Sequence, residues 1–373
     1  MKTIKNLYDM IYDFENLYKA WEAACKGKRY RDEVLTFSSN LESNLIDIQN
    51  HLIYGSYEMG RYRQFYVHEP KKRLIMALPF RDRVVQWAIY RQLFPLFDKQ
   101  FIFDSYACRE GKGTHKAVDR LQYWLRQVDR KPQRYYYLKL DIAKYFYRVD
   151  HEILVNILNR KINDKRLVDL LALIINSEET RFGLPVGVDP DLCAPCDRLA
   201  EVGMPIGNLT SQMFANLYLH ELDIFAKHDL RLHYYIRYMD DIIILHPDKK
   251  HLAAVKDEIE AFLCDNLRLQ LNKKTAIRPC SMGIEFVGFN VWATHRKLKK
   301  KSALKVKRGV KKIKEMRDSG EITPESFSRR IASYKGVLQY CNSYGFRRGL
   351  NKLFRRKPQD ANPTTPEESG EFN

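Results

Sequence analysis

The sequence predicts an α+β fold, in which an antiparallel sheet is backed by helices. Apolar and β-branched runs lie on both sides of a short acidic break in residues 234–245, which is typical of a β-hairpin. Residues 135–140 form a second aromatic and aliphatic run of strand length. Residues 1–60 favour helices instead. The chain therefore combines a sheet with several helical segments.

The first 60 residues are predicted to form an N-terminal helical extension. Leu41, Leu45, Ile48 and Leu52 follow one another at intervals of four, three and four residues, which places them on one helix face. We interpret this face as a packing surface.

Length and charge limit the classes of function. The chain has 373 residues, enough for two or three subdomains with a sizeable core. Its 64 Lys and Arg against 46 Asp and Glu give a formal charge of +18. That excess favours a polyanionic partner, because cationic side chains that contact phosphates release counterions. Charge alone does not distinguish RNA, DNA and an anionic membrane surface.

Cysteine usage and hydropathy point to a reducing compartment. The seven cysteines form an odd number without a regular disulfide framework. No signal peptide and no apolar run of membrane-spanning length is recognisable. We expect a cytoplasmic protein that does not engage a membrane.

Adjacent carboxylates at the tip of the predicted hairpin are the first candidate site. Asp240 and Asp241 follow Tyr238 and Met239. Two carboxylates this close repel each other unless a cation neutralises them. The structural alternative is a solvated turn between two strands, which is the commoner role of an isolated acidic pair.

A third carboxylate favours the functional interpretation. Asp141 follows directly on the predicted strand 135–140. If this strand pairs with the hairpin, Asp141, Asp240 and Asp241 converge. Carboxylate oxygens suit Mg²⁺, which binds to a few carboxylates together with substrate phosphates and water. Two such ions can assist phosphoryl transfer by acting on the attacking and leaving oxygens.

This arrangement resembles the palm domain of reverse transcriptases. Four further segments are similar to motifs of that family, in its order and approximate spacing, over about residues 70 to 290. They are Arg109-Glu110-Gly111-Lys112-Gly113-Thr114-His115, Gly203-Met204-Pro205-Ile206-Gly207-Asn208-Leu209-Thr210-Ser211-Gln212, Leu271-Asn272-Lys273-Lys274-Thr275 and Glu285-Phe286-Val287-Gly288-Phe289.

The resemblance implies a right-hand polymerase made of fingers, palm and thumb. It implies fingers 61–134, palm 135–290 and thumb 291–357, after the N-terminal helical extension 1–60. The composition of residues 179–202 indicates an inserted loop within the palm, and the Pro, Glu, Thr and Ser content of residues 358–373 predicts a disordered tail. The resemblance further implies an RNA template, a DNA or RNA primer and dNTPs as partners and substrates.

Roles for individual residues follow from the same resemblance. Asp141, Asp240 and Asp241 would hold two Mg²⁺ ions, with Asp241 serving the primer-side ion, and Lys274 would donate a proton to the departing pyrophosphate. The residues expected to bind the nucleotide are Arg73, Arg109, Phe146, Ile206 and Gly207, with Phe146 excluding a ribose 2′-hydroxyl. The residues expected to bind nucleic acid are Phe286, Gly288, Lys299, Lys300, Lys301 and Lys305.

In the nucleotide-site motif this chain differs from most members of the family, and the differences point to a subfamily. Most bacterial and retroviral members carry Gln-Gly and Ser-Pro where this chain has Ile206-Gly207 and Ser211-Gln212. The form found here resembles the reverse transcriptases of diversity-generating retroelements, which copy with errors, chiefly opposite adenine. A small basic accessory protein would then be a partner. Antiviral-defence reverse transcriptases vary the same motif, and an RNA-binding maturase-like protein is a third hypothesis.

Basic residues near the predicted fingers have two interpretations. Lys71, Lys72 and Arg73 precede an apparent strand beginning at Leu74, and Arg109 opens the fingers motif. The functional interpretation places these cations on the triphosphate of the incoming nucleotide. The alternative is a solvated charged turn, as common for the lysine cluster as the functional role.

The thumb region has the strongest local charge. Residues 296–314 contain eleven Lys or Arg and no acidic residue. Val306, Val310 and Ile313 are spaced to form a narrow apolar stripe on one helix. A charge run is usually a solvated face, but this many uncompensated positive charges repel one another. We therefore predict a helix that follows a primer–template duplex.

The inserted loop 179–202 contains a Cys-x-x-C pair, Cys193 and Cys196, which is one half of a common zinc pattern. No second pair lies nearby at ligand spacing. Reduced cysteines in a loop are the favoured interpretation, with structural zinc as the alternative.

Overall fold

A computed structural model describes residues 4–68, 73–176 and 181–352. It combines helices with antiparallel strands, as the sequence predicts. The helices are α1 (Tyr8–Tyr12), α2 (Phe14–Cys25), α3 (Asp32–Ser39), α4 (Leu41–Ile53), α5 (Phe80–Asp98), α6 (Thr114–Asp129), α7 (His151–Lys161), α8 (Lys165–Ile175), α9 (Leu209–Ile224), α10 (Lys249–Leu267), α11 (Lys300–Asp318), α12 (Pro324–Gln339) and α13 (Tyr344–Asn351). The strands are β1 (Arg63–Val67), β2 (Arg73–Ala77), β3 (Tyr136–Asp141), β4 (Tyr234–Tyr238), β5 (Asp241–His246), β6 (Ala276–Pro279), β7 (Ile284–Phe286), β8 (Phe289–Val291) and β9 (Arg296–Leu298).

Within the described residues, the strands form three sheets. β1 and β2 make an antiparallel hairpin, in which Phe65 lies opposite Ile75. The largest sheet has four strands in the order β4-β5-β3-β6. β7, β8 and β9 form a small antiparallel sheet, in which Phe286 pairs with Phe289 across the first turn. The hairpin that the sequence predicts within 234–245 is confirmed as β4 and β5.

The described residues divide into two compact units. Unit 1 consists of those within 1–113, 138–244 and 250–276. Unit 2 consists of those within 114–137, 245–249 and 277–373.

The core of unit 1 is organised around α5 and α9. These two helices pack against each other, and α2 packs on α5. α9 is buried on nearly all of its faces, including the polar side chains of Asn216, His220 and Asp223. A helix buried all round must find partners for such groups inside the protein. Asn216 and Asp223 have them, whereas neither ring nitrogen of His220 has a hydrogen-bond partner in the described chain.

The N-terminal residues are helical, as predicted. They form four helices, α1 to α4, and the predicted face of α4 buries Leu45, Ile48 and Leu52 completely. Burial of one aliphatic face stabilises such a helix by roughly 1.5–3 kcal/mol per side chain. This agrees with its interpretation as a packing surface.

Unit 2 contains α6, the small sheet and the three C-terminal helices. The predicted stripe on α11 is confirmed, since Val306, Val310 and Ile313 are buried against residues of α12 and α13. Thr323 caps α12 by accepting a hydrogen bond from the Ser326 amide at 3.2 Å, and Pro324 opens the helix, a position that proline favours.

Several sequence predictions lie outside the described residues. They are Lys71 and Lys72 of the basic turn, residues 179–180 of the inserted loop, residues 353–357 of the thumb and the tail 358–373. None of the described helices combines the length and the apolar character that a membrane crossing requires.

Candidate active site

The hairpin β4–β5 places the acidic pair at its turn. Met239 and Asp240 are the two loop residues, whereas Asp241 is already the first residue of β5. Met239 has φ +55°, in the left-handed region that two-residue hairpin loops require. A non-glycine residue in this region is uncommon and costs energy. The prediction that both carboxylates lie in the turn therefore needs correction for Asp241, which belongs to the strand.

Asp241 lies in a low-dielectric environment beside a lysine. Burial raises the pKa of its carboxyl to about 6, although the neighbouring Lys139 ammonium lowers it; Asp240 and Asp141 raise it further. Lys139 Nζ lies 3.2 Å from Oδ1 and 3.3 Å from Oδ2, and donates a hydrogen bond to Oδ2. Oδ1 is buried and accepts no hydrogen bond within the described chain, despite this ion pair.

Asp141 ends β3, the strand next to β5. Lys139 precedes it by two residues and therefore points to the same face of the strand. The turn that carries Lys274 is tied to this point, because the Asn272 amide donates to the Asp141 carbonyl at 2.7 Å. Lys274 is exposed. The structure thus brings the predicted lysine motif next to the strand that carries the first carboxylate.

The donors at this site suit a hard cation. Asp141, Asp240 and Asp241 supply only oxygen ligands, and one buried oxygen of Asp241 has no hydrogen-bond donor within the described chain. Among the residues that the structure describes, no three His, Cys, Asp or Glu side chains are close enough together to hold a metal by themselves. Mg²⁺ sites often use one or two carboxylates and complete the shell with substrate phosphates and water, so the residues fit an ion that arrives with a nucleotide.

The backbone of the nucleotide-site motif pairs with β2. The Met76 amide donates to the Ile206 carbonyl at 3.1 Å. Gly207 has φ +126°, and a Cβ atom there would lie 3.0 Å from the Met76 carbonyl oxygen. Glycine is required at this position by both its conformation and the close approach of β2. The predicted Ile206 and Gly207 are therefore held against the β1–β2 hairpin.

The side chains of Ile206 and Phe146 pack on the same apolar cluster. This cluster contains Leu74 and Met76 of β2 and also Tyr147. Phe146 lies in the short 3₁₀ turn that follows Asp141. Two of the five residues predicted to bind the incoming nucleotide thus share one apolar wall.

Tyr62 adds a polar group at the edge of this cluster, against which its ring packs. The Asn208 side-chain amide donates to the Tyr62 hydroxyl at 2.5 Å. Asn208 occupies the N-cap position of α9 but makes no capping hydrogen bond with its side chain. A side-chain cap typically contributes about 1 kcal/mol to helix stability. Asn208 does not cap α9 in this way, and its side chain instead holds the hydroxyl of Tyr62.

The two arginines predicted to bind the triphosphate lie in different environments. Arg73 is exposed at the start of β2, close enough to Tyr147 to lower the pKa of that phenol, which burial raises overall. The side chain of Arg109 is 7 % exposed and donates to Asp98 Oδ1 at 2.5 Å, the Ile102 carbonyl at 2.7 Å and the Ser105 carbonyl at 2.9 Å. This geometry gives Arg109 a structural role and does not favour the predicted contact with a nucleotide.

Unit 2 contains the residues predicted to bind nucleic acid. Phe286 is fully buried, and Gly288 lies in the β7–β8 turn with φ +90°. Lys299 forms an ion pair with Glu285. Lys300, Lys301 and Lys305 are exposed on α11, on the side away from the buried stripe. The exposed lysines can reach a ligand, whereas the side chain of Phe286 is enclosed by the protein.

The described part of the inserted loop is held by an arginine. Arg198 is 3 % exposed and donates to the carbonyls of Phe182 and Pro190, at 3.2 and 3.4 Å. Cys193 and Cys196 are free thiols. Within the described chain, no third His, Cys, Asp or Glu side chain lies close enough to join them in a metal site.

Sequence reasoning missed three polar features of the site. They are the Lys139–Asp241 ion pair, the Asn208–Tyr62 hydrogen bond, and a fully buried ion pair between Arg237 and Asp223. A signal for the last was present, since Arg237 is the one charged residue within the strand Tyr234–Tyr238. Its partner was not predictable, because it lies on a separate helix.

Comparison with known proteins finds one family. The family model described as "Reverse transcriptase (RNA-dependent DNA polymerase)" matches residues 68–291. The chain is similar to "Protein YkfC" of Escherichia coli (strain K12), with 26% identity over 290 residues, covering 68% of this chain and 71% of that protein.

Two relatives carry intron-related names. "Group II intron-encoded protein LtrA" of Lactococcus lactis subsp. cremoris is 22% identical over 347 residues, covering 74% of this chain and 54% of LtrA. "Nuclear intron maturase 2, mitochondrial" of Arabidopsis thaliana is 26% identical over 189 residues, covering 46% of this chain and 25% of the maturase. The chain thus spans about half of the first and a quarter of the second.

The elevated pKa of Asp241 predicts a pH-dependent cost to stability. A carboxyl with a folded pKa of about 6 and an unfolded pKa of about 3.9 destabilises the native state fully above pH 6. This destabilisation becomes smaller as the pH falls from the folded pKa towards the unfolded pKa. Asp241→Asn should therefore raise the melting temperature by a few degrees at pH 7.5 in metal-free buffer, and by less at pH 5.

Thermal denaturation at the two pH values tests this prediction. Asp265→Asn, at an exposed position on α10, is the matched control and should change little at either pH. A clear drop in the melting temperature of Asp241→Asn at pH 7.5 would mean that the carboxylate stabilises the fold.

Proposed function

This chain belongs to the reverse transcriptase (RNA-dependent DNA polymerase) family, and we propose that it copies an RNA template into DNA by extending a DNA or RNA primer with dNTPs. The observation that carries the proposal is the placement of Asp141 on the strand beside the Asp240–Asp241 hairpin, with the Lys274 turn bonded to Asp141. Three segments that are far apart in the sequence thereby meet at one end of the largest sheet that the structure describes.

Asp141, Asp240 and Asp241 would hold two Mg²⁺ ions in this proposal. When bound with a nucleotide, these ions would activate the primer 3′-hydroxyl and stabilise the leaving pyrophosphate. Asp241 is partly neutralised by Lys139 at 3.2 Å, which keeps this carboxylate oriented before the substrate arrives. Lys274 is exposed near Asp141 and would donate a proton to the pyrophosphate.

The remaining nucleotide contacts come from the apolar wall and from β2. Phe146 would exclude a ribose 2′-hydroxyl. It lies five residues after Asp141, and its ring packs on the same apolar cluster as Ile206. Gly207 allows the close approach of β2 to this wall. Arg73, exposed at the start of β2, is the candidate cation for the triphosphate, in preference to the buried Arg109.

Charge supports a nucleic-acid partner for unit 2. α11 exposes lysines on a helix whose apolar side is fully engaged within the unit. Backbone phosphates are the ligands that such a surface attracts. We therefore assign the primer–template duplex to α11, and we keep the division into fingers, palm and thumb as a proposal.

A role in diversification is the finer proposal. Ile206 stands where most members of the family carry glutamine, and its side chain packs on apolar neighbours. A hydrocarbon side chain has no group that could donate a hydrogen bond to a nucleotide. A template RNA and a small basic accessory protein would be the partners. The intron-related names of two relatives favour a maturase-like RNA-binding role as a second candidate, and antiviral defence is a third.

The polymerase assignment predicts that Asp240→Asn abolishes DNA synthesis and leaves RNA affinity within a few-fold of the wild type. The turn carboxylate contributes charge to the metal site, and asparagine keeps its size and shape while removing that charge. Primer extension in Mg²⁺ and RNA binding by filter retention measure the two effects. Asp265→Asn is the control and should retain activity. Wild-type rates in Asp240→Asn would overturn the metal-site assignment.

The charge on α11 predicts weaker binding of the nucleic-acid backbone when its lysines are neutralised. Replacing Lys299, Lys300, Lys301 and Lys305 by Gln should weaken primer–template binding for every sequence. It should also flatten the slope of log K against log salt by roughly 0.7–0.9 for each phosphate that the variant no longer neutralises. The matched control carries the same change at four lysines that are exposed in unit 1: Lys5, Lys19, Lys26 and Lys165. An unchanged slope would mean that these lysines form a solvated surface and do not contact phosphates.

The apolar residue at the nucleotide site predicts low fidelity. Glutamine offers donors and an acceptor that isoleucine lacks, and polar contacts discriminate more strongly than apolar surfaces. Ile206→Gln should therefore reduce misincorporation, most visibly opposite template adenine, with less effect on total synthesis. Sequencing of cDNA from a defined RNA measures this. Ile206→Val keeps an apolar side chain and should retain the wild-type error spectrum.

An identical error spectrum in wild type and Ile206→Gln, with no excess of errors at adenine, would remove the main support for diversification. The defence role would then become the better proposal, while the polymerase assignment would stand.

A further inference from the structure

Arg237 is a fully buried cation one residue before the tyrosine of the candidate active-site hairpin. Its guanidinium forms a two-pronged ion pair with Asp223 of α9, with Nη2–Oδ2 at 2.6 Å and Nε–Oδ1 at 2.7 Å. Both side chains are 0 % exposed. Removing one partner of such a pair leaves an unpaired buried charge, which strongly destabilises a protein. The pair therefore fixes β4 against α9.

The third arm of the guanidinium reaches the hairpin turn. Nη1 donates to the Met239 carbonyl and to Asn216 Oδ1, each at 3.3 Å. Asn216 is itself fixed, since its side-chain amide donates to the Ala107 carbonyl at 2.8 Å. The backbone of Arg237 is also held on both sides, because its amide donates to the Asp104 carbonyl and its carbonyl accepts from the Tyr106 amide, each at 3.0 Å.

The contact with Met239 matters because that residue is strained. Its φ of +55° lies in the left-handed region, which is energetically unfavourable for a non-glycine residue. The Met239 carbonyl belongs to the peptide that leads directly into Asp240. A hydrogen bond to this carbonyl fixes the orientation of that peptide plane, and thus the direction in which the Asp240 side chain leaves the turn.

We propose that Arg237, held by Asp223, is a positioning residue that sets the orientation of the Asp240 carboxylate for divalent-cation binding. This inference rests on the proposed function for the metal itself. It goes beyond that function by assigning metal affinity to a buried network that touches neither metal nor nucleotide. Groups that orient a metal ligand in this way are commonly as important as some of the ligands themselves.

The test removes the whole buried pair so that no charge is left unpaired. The double variant Asp223→Leu/Arg237→Met replaces both charges by apolar side chains, a change that is often neutral for stability. We expect a folded protein with unchanged RNA affinity. Its affinity for Mn²⁺, measured by electron paramagnetic resonance without nucleotide or primer, should fall roughly 10–100-fold. The Mg²⁺ concentration for half-maximal primer extension should rise in parallel.

Two further variants separate positioning from packing. Tyr235→Phe removes the hydroxyl that bonds Asp223 Oδ1 at 2.8 Å but keeps the contact from Arg237 to Met239, so its Mn²⁺ affinity should match the wild type. Arg237→Lys keeps the charge but cannot bond Asp223 through two nitrogens and also reach Met239, so its Mn²⁺ affinity should fall.

Wild-type Mn²⁺ affinity in the folded double variant would overturn the proposal. If the double variant does not fold, Arg237→Lys decides: weakened Mn²⁺ binding supports positioning, and unchanged binding overturns it. A wild-type chain that binds Mn²⁺ but does not polymerise would contradict the proposed function alone, since the comparison of Mn²⁺ affinities does not use activity.

Discussion

The buried ion pair between Arg237 and Asp223 is the constraint on which the rest of unit 1 depends. Two charges that are 0 % exposed are tolerated only if each meets the other with good geometry, because desolvation costs several kcal/mol for each ion. Burial disfavours the charge of Arg237, but Asp223 more than offsets this and raises the pKa of the guanidinium above its ordinary value. The register of β4 against α9 is therefore fixed, since a shift of one residue along either element would separate the pair.

Fixing α9 also fixes the wall of the nucleotide site. α9 begins at Leu209, directly after Ile206, Gly207 and Asn208. The first of these residues pairs its carbonyl with β2, and the last bonds the Tyr62 hydroxyl ahead of β1. One helix thus positions the acidic hairpin at its buried side and the nucleotide-site motif at its N-terminus. Apolar packing alone is less directional, and the hydrogen bonds supply the precision that a two-carboxylate hairpin needs.

In unit 2, charged and aromatic side chains meet around the ring of Tyr340. His115 stacks on this ring at 3.8 Å, and the Arg296 guanidinium lies 3.7 Å from the ring centre. Two groups this close must occupy opposite faces of the ring. Asp119 accepts from the Tyr340 hydroxyl at 2.8 Å and from Arg296 at 2.5 Å. The cluster connects α6, β9 and the end of α12, and it accounts for His115 at the end of the Arg109–His115 motif as an anchor within unit 2.

The sequence by itself determined the elements and the chemical class of this protein. Apolar runs interrupted by Asp141 and by Asp240-Asp241 were enough to predict the strands and their carboxylates, because strand patterns are local. The stripe on α11 was predictable for the same reason. Only the tertiary structure decided which polar side chains already have hydrogen-bond or ion-pair partners within the protein. Arg109 looks like a ligand-binding arginine in the sequence, yet its donors bind the chain's own oxygens. The partners of Arg237, Lys139 and Asn208 lie between 14 and 146 residues away. Such pairings depend on how helices and strands pack, and no local pattern records which buried charge meets which.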